Sequence, residues 1–278
     1  MLKQPIKNLL LSFFILSTLF LCSCRTVPFT GKSQLNVVSN EKVLALSETQ
    51  YVDVLKKAKK STNTTEIARL NRVGKKLAKE IDRYLLEKNI PNTFKWEFTL
   101  IEDKQVNAWC MPGGKIAVYT GILPITKDDT GLAVVLGHEI AHALAEHGHQ
   151  RMNQALAAKL GVTALGVGLG LSQATDGQTN QVILAASGAL VSYGIVLPNS
   201  RDNEHEADEI GLKIMARAGY NPEEAVPFWQ RMAAASKGKK PPEFMSTHPG
   251  DVNRINFIKK HLPSAMYEYR RYRNRNRF

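Results

Sequence analysis

The stretch that decides the reading is GHEIAHALAEHG, Gly137 to Gly148. Inside it, His138 and His142 stand four positions apart. On an α-helix such positions share one face, one turn above the other, so both imidazoles can reach a single ion. Zn²⁺ takes His nitrogen at about 2.0–2.1 Å. Glu139 lies about 100° further round the helix, beside such an ion rather than on it. There it can accept a proton from a water that the metal has acidified toward a pKa of about 7. Chance alone supplies an HExxH in roughly one chain in a hundred of this length. The motif therefore needs a third ligand.

The stretch SRDNEHEAD, Ser200 to Asp208, supplies one. Glu204 and Asp208 are again one helical turn apart on one face. Glu204 can complete a His₂Glu set and leave the fourth position to water, as catalytic zinc requires. Asp208 can accept the free N–H of a ligating imidazole and fix its tautomer. His205 and Glu206 point in other directions and compete only weakly as ligands.

Together the two motifs resemble the zinc metalloendopeptidases of metallopeptidase family forty-eight, gluzincins related to the CAAX prenyl protease and the HtpX heat-shock protease. The resemblance covers about residues 106–258. It takes in Val106-Asn107-Ala108, Pro112-Gly113-Gly114, and Thr247-His248-Pro249 with Arg254. It implies one Zn²⁺ per chain, with His138, His142 and Glu204 as ligands, Glu139 as general base and Asp208 holding a ligating imidazole. It also implies an α+β, mostly helical zincin-like domain with a small sheet beside the active helix. Asn107 and Ala108 would then lie on an edge strand offered to an extended substrate; the plainer reading of that region is a sheet and nothing more. The chain is most similar to the soluble periplasmic lipoprotein branch, near the β-barrel assembly-enhancing protease. In that branch the histidine of the His-Pro motif can approach the zinc, which makes His248 a possible regulatory fourth ligand; otherwise it is a loop residue. Arg254 is either an oxyanion stabiliser or the partner of a carboxylate.

The N-terminus reads as a targeting segment. Lys3 and Lys7 precede an apolar run over residues 9–21 that is short for a membrane span. Leu21-Cys22-Ser23-Cys24 resembles a bacterial lipobox. This implies a signal peptide at 1–23, a lipid on Cys24 and a tether over 24–40; an ordinary secretory signal or an uncleaved anchor is the alternative. Arg25 suggests the outer membrane of a Gram-negative cell, with the domain in the periplasm. Of the three cysteines only Cys110 would then remain free, as an apolar packing residue, and no intramolecular disulfide can form.

The 278 residues carry 37 Lys and Arg against 25 Asp and Glu, a net charge of +12. Mean hydropathy is −0.22. Five arginines fall between Arg270 and Arg277. The tail at 263–278 is either solvated or meets an anionic surface such as lipid headgroups. No specific nucleic-acid partner is expected.

The metalloprotease domain itself should span 41–262. Periodicity predicts helices at 41–60 and 66–88, the second capped by Thr65. Strands follow at 94–101, 106–111 and 115–120, with Pro112-Gly113-Gly114 as the turn. Asp128 and Asp129 suit the start of the active helix, which should run to about Gln150. Residues 155–197 are rich in Ala, Gly, Val and Leu. They read as a helical hairpin in or over the core, or as an exposed, mobile, membrane-touching or gate-like segment. Helices at 201–218, 223–236 and about 251–261 complete the chain, with a basic, proline-rich loop at 237–242. The function expected is a zinc endopeptidase acting on unfolded or misassembled envelope proteins. The rival is a zinc-containing chaperone or assembly factor for outer-membrane proteins whose proteolysis is gated or rare.

Overall fold

The structure, a computed structural model, describes residues 24–27, 29–36, 38–154, 200–235, 242–248 and 253–275. The signal segment, the apolar stretch at 155–197 and most of the 237–242 loop lie outside the described residues.

Two helices open the domain. In α1, Asn40–Lys57, the Ser39 side chain accepts the Lys42 N–H. In α2, Thr64–Glu87, the cap is Asn63, which accepts the Glu66 N–H; Thr65 was expected in that role. The stripe Leu70, Val73, Leu77, Ile81 and Leu85 faces the core at helical spacing and is buried.

The sheet has three strands, β3 (Glu97–Ile101), β4 (Ala108–Met111) and β5 (Lys115–Tyr119), in the order β3-β5-β4. β3 runs parallel to β5, and β4 antiparallel to it. Gly113 and Gly114 make the β4–β5 turn with φ of 89° and 88°, a region closed to most other residues. β4 is an edge strand, and it packs beside the active helix.

The short helix α3, Leu123–Thr126, leads into α4, Asp129–Leu144, where the Asp128 side chain accepts the Gly131 N–H. Every residue from 131 to 144 is buried. The helix does not run on to Gln150. It stops at Leu144, because Glu146 adopts a left-handed φ of 55°; helix resumes at 147–154, α5. Next come α6 (Arg201–Arg217), α7 (Ala225–Ala235), α8 (Glu243–Thr247) and α9 (Arg254–Arg275).

Both ends of the domain are more ordered than expected. α9 continues through Pro263 to Arg275, so the helix expected to end near 261 takes in most of the basic tail. Ala265 is buried, and Arg275 pairs with Glu80 at 3.3 Å. The expected tether is a docked hairpin. β1 (Cys24–Thr26) pairs antiparallel with β2 (Ser33–Leu35). Val27 and Val38 are buried, and Asn153 on α5 bonds both Val38 N and Leu35 O at 2.8 Å.

α4 crosses α6 at two glycines. A Cβ on Gly137 would lie 3.0 Å from Gly211 O, and one on Gly211 would lie 3.0 Å from Gly137 C. The atoms met are backbone in packed helices and cannot swing aside. Gly211→Val should therefore destabilise by about 1–3 kcal/mol through overpacking. Calorimetry should show a melting point lower by about 2–4 °C for each kcal/mol.

Candidate metal centre

Four elements converge on one point. α4 brings His138, Glu139 and His142; α6 brings Glu204 and Asp208; His248 follows α8; Arg254 opens α9. None of the seven is more than 6% exposed.

One donor atom from each of His138, His142, Glu204 and His248 lies within 4.8 Å of the other three. The Nε2 atoms of His138 and His142 are 3.0 Å apart. Each stands 3.3 Å from an oxygen of Glu204. Asp208 Oδ1 faces His138 Nδ1 at 2.9 Å. The carboxylate can only accept, which places the ring proton on Nδ1 and leaves a lone pair on Nε2. Glu204 Oε2 has an ion-pair neighbour, Arg254 Nη1 at 3.2 Å, but no hydrogen bond. Buried imidazole nitrogens and a carboxylate that converge this closely form a set able to hold a cation. Two imidazoles and a carboxylate at this spacing suit Zn²⁺.

The charges follow from burial and neighbours. Burial alone would raise the Glu204 carboxyl, but His248, His142 and His138 hold it well below the usual range. Burial pushes His142 well down, so its ring is neutral and fit to ligate. For His138 burial also acts downward, yet the hydrogen bond to Asp208 and the Glu204 carboxylate 3.3 Å away outweigh it and carry the pKa up to about 9. A cation at Nε2 displaces that second proton.

Glu139 stands beside the donor cluster. The Cys110 N–H of β4 donates to its carboxylate. Oε1 lies 3.3 Å from His248 Nε2 and has no hydrogen bond. Burial raises the Glu139 carboxyl against the pull of His248 and His138. Burial and Glu139 also push the Cys110 thiol well up, which makes it a protonated packing group rather than a nucleophile.

The strand register sets what β4 can offer. Asn107 O accepts from Tyr119 N at 3.0 Å. By the alternation of an antiparallel pair, Ala108 and Cys110 turn their backbone groups away from β5. The Asn107 side chain, buried, accepts the Ala108 N–H at 2.9 Å. Val106 O is taken by Phe244 N.

Arg254 is committed within the site. It grips Asp208 with two bonds, Nε to Oδ2 at 2.8 Å and Nη2 to Oδ1 at 2.7 Å. Nη1 donates to His248 O at 3.2 Å, and the guanidinium lies 3.5 Å over the Trp229 ring. This is the geometry of a carboxylate partner. Cys24 is exposed on β1.

Two residues acquire contacts that sequence reasoning had not assigned. His147 meets His142, Nδ1 to Nδ1, at 2.8 Å, and its Nε2 meets Glu206 Oε2 at 3.1 Å. On an unbroken helix, His147 would point off the His142 face; the left-handed Glu146 turns it back. No glycine or asparagine marks that position in the sequence.

An HExxH helix, a glutamate ligand from a second helix and an edge strand alongside define a zinc metallopeptidase of the gluzincin type. The chain belongs to peptidase family M48, whose family model matches residues 68–262. Mitochondrial metalloendopeptidase OMA1 of Schizosaccharomyces pombe is 40% identical over 172 residues, 62% of this chain and 48% of that protein. The human mitochondrial metalloendopeptidase OMA1 is 31% identical over 249 residues, 86% of this chain and 46% of that protein. The β-barrel assembly-enhancing protease of Yersinia pestis is 33% identical over 184 residues, 63% and 37% respectively. The chain thus spans about half the length, or less, of these relatives. The likeness to the fission-yeast protein exceeds that to the β-barrel assembly-enhancing protease, the branch expected from the sequence.

Glu204→Ala should leave the purified chain with almost no zinc by metal analysis. Asp208→Asn should weaken zinc affinity by about 10–100-fold.

Proposed function

We propose that this protein is a zinc-dependent endopeptidase of the bacterial cell envelope. It acts on unfolded or misassembled envelope proteins and is held at the outer membrane, on its periplasmic side, by a lipid on Cys24. The observation that carries the activity is Glu139: a buried carboxylate beside the donor cluster, fixed by Cys110 N–H, with one oxygen unbonded. A structural zinc site needs no such base.

Zinc, when bound, supplies Lewis acidity toward the scissile carbonyl and makes a water acidic near neutral pH. The outward carbonyls of Ala108 and Cys110, whose N–H groups are held by Asn107 and Glu139, accept from an extended peptide laid along the strand. Glu139 takes the proton of the attacking water and delivers it to the departing amine. Asp208, clamped by Arg254, keeps His138 in the tautomer that ligates.

His248 bears on regulation. Its ring lies between Glu139 and the ligands, Nε2 3.3 Å from Glu139 Oε1 and Nδ1 3.1 Å from Glu204 Oε1. That is the place the water needs, so His248 holds the centre shut at rest and swings out when substrate arrives. The same contact favours a second reading, a closed zinc centre in a chaperone or assembly factor that seldom cleaves.

The location rests on Lys3, Lys7, the apolar run and the Cys24 motif. Relatives from Yersinia pestis and Vibrio cholerae named as β-barrel assembly-enhancing proteases support an envelope setting. No helix among the described residues is long and apolar enough to cross a membrane. Arg270, Arg271 and Arg273 are exposed near the end of α9 and suit contact with anionic headgroups.

Glu139→Gln should keep its zinc and lose at least about 10²-fold in cleavage of an unfolded protein substrate. Wild-type cleavage by that variant would rule out the mechanism. His248→Ala should keep zinc and cleave faster than wild type; loss of zinc would instead favour the closed structural centre.

A further inference from the structure

Three contacts lead from His142 to the N-terminal hairpin. His142 Nδ1 meets His147 Nδ1 at 2.8 Å, His147 Nε2 meets Glu206 Oε2 at 3.1 Å, and Lys32 Nζ reaches the same oxygen at 2.8 Å. His147 is buried, and the side chain of Glu206 is 15% exposed. The proton positions follow from the ends. His142 must present a lone pair at Nε2 to bind zinc, so its proton is on Nδ1 and is donated to His147 Nδ1. His147 then carries its proton on Nε2 and donates it to Glu206. Neutral rings satisfy every contact with no atom left over.

We propose that His147 and Glu206 are positioning residues that orient His142 toward the zinc. They do for the second histidine what Asp208 and Arg254 do for the first. The inference rests on His142 being a zinc ligand. The left-handed turn at Glu146 exists in this arrangement to bring His147 back over His142. The hairpin holds that turn from outside: Gln34 Nε2 donates to Glu146 Oε2 at 2.8 Å, and His149 Nε2 donates to Val38 O at 2.8 Å. Lys32 is the weakest part, since its side chain is 63% exposed and such pairs are screened by water.

The test is zinc affinity of the full chain, measured by competition with a fluorescent chelator, beside the melting point of the metal-free protein. His147→Leu and Glu206→Ala should each weaken zinc binding by about 10–100-fold, with the metal-free melting point unchanged. Glu206→Gln keeps an acceptor and should recover most of the loss. Cobalt-loaded His147→Leu should show shifted visible absorption bands, which report ligand geometry. Lys32→Met should weaken binding least. A core variant on α2, Ile81→Val, should melt earlier yet bind zinc as wild type does.

Unchanged zinc affinity in both His147→Leu and Glu206→Ala would overturn the proposal. So would an equal loss in Ile81→Val, which would trace the effect to general loosening. A larger loss in Lys32→Met than in Glu206→Ala would move the effect to the hairpin and overturn the relay. A wild-type chain that binds no zinc at all would sink the reading of the centre itself, a result distinct from all of these.

Discussion

The close crossing of α4 and α6 is the constraint on which the centre depends. At Gly137 and Gly211 the two backbones approach until a Cβ on either would lie 3.0 Å from the other's backbone. His138 is the next residue after Gly137, and Asp208 lies one turn before Gly211. Side chains of histidine and glutamate are short. They meet at hydrogen-bond distance only because the helix axes are drawn together at this point. Interhelical spacing, typically about 8–10 Å, depends on the residues at the contact, and small ones allow a closer approach. The helix propensity lost at each glycine, about 1 kcal/mol relative to alanine, is offset by burial of the whole of 131–144.

That crossing also concentrates charge. Glu139, Glu204 and Asp208 are all buried within one site. Buried carboxylates are costly unless paired. Arg254 neutralises Asp208 through two bonds and shields the pair under Trp229. Glu204 is held ionised by the imidazoles around it. Glu139 has the thinnest support, one backbone N–H and an imidazole at 3.3 Å, and burial raises its carboxyl accordingly. The residue with the least compensation is the one proposed to take up and release a proton. The division of labour among three carboxylates is thus set by how each is compensated, not by residue type.

Much of this was legible in the sequence because it depends on local periodicity. HEIAH and Glu204 with Asp208 are pairs at four-residue spacing, and such pairs share a helix face whatever the rest of the fold does. The β4 edge strand and its Gly113-Gly114 turn were likewise visible, since turn chemistry is local. What escaped notice was long-range or locally unmarked. Lys32 and Glu206 are separated by 174 positions. Val38 and Asn153 are separated by 115. The segment over 24–40 was expected to be a tether because the contacts that dock its hairpin are made by polar side chains of distant partners, which composition does not reveal. The last helix was expected to end near 261, yet it passes through Pro263, which removes only one backbone donor. The burial of Ala265 and the bond from Arg275 to Glu80 keep α9 going. Glu146 entered the left-handed region without a glycine, so the break in the active helix had no signature.

The edge of β4 has a consequence for which proteins are at risk. It spans only Ala108–Met111, and two of its residues turn their backbone outward. On the proposed activity, a strand laid there would meet the Ala108 and Cys110 carbonyls with its own main-chain N–H groups, which nearly every residue carries. What a native protein lacks is a free segment in extended form, since its own backbone groups are already bonded. To enter, it must first open locally, and the free energy of that opening ranges from near zero at fraying ends to the full folding stability in the core. Where opening and closing are fast relative to cleavage, the rate follows the open population. Susceptibility would then be graded by a client's own local stability, so that a well-assembled protein persists and a poorly assembled neighbour of the same sequence is removed.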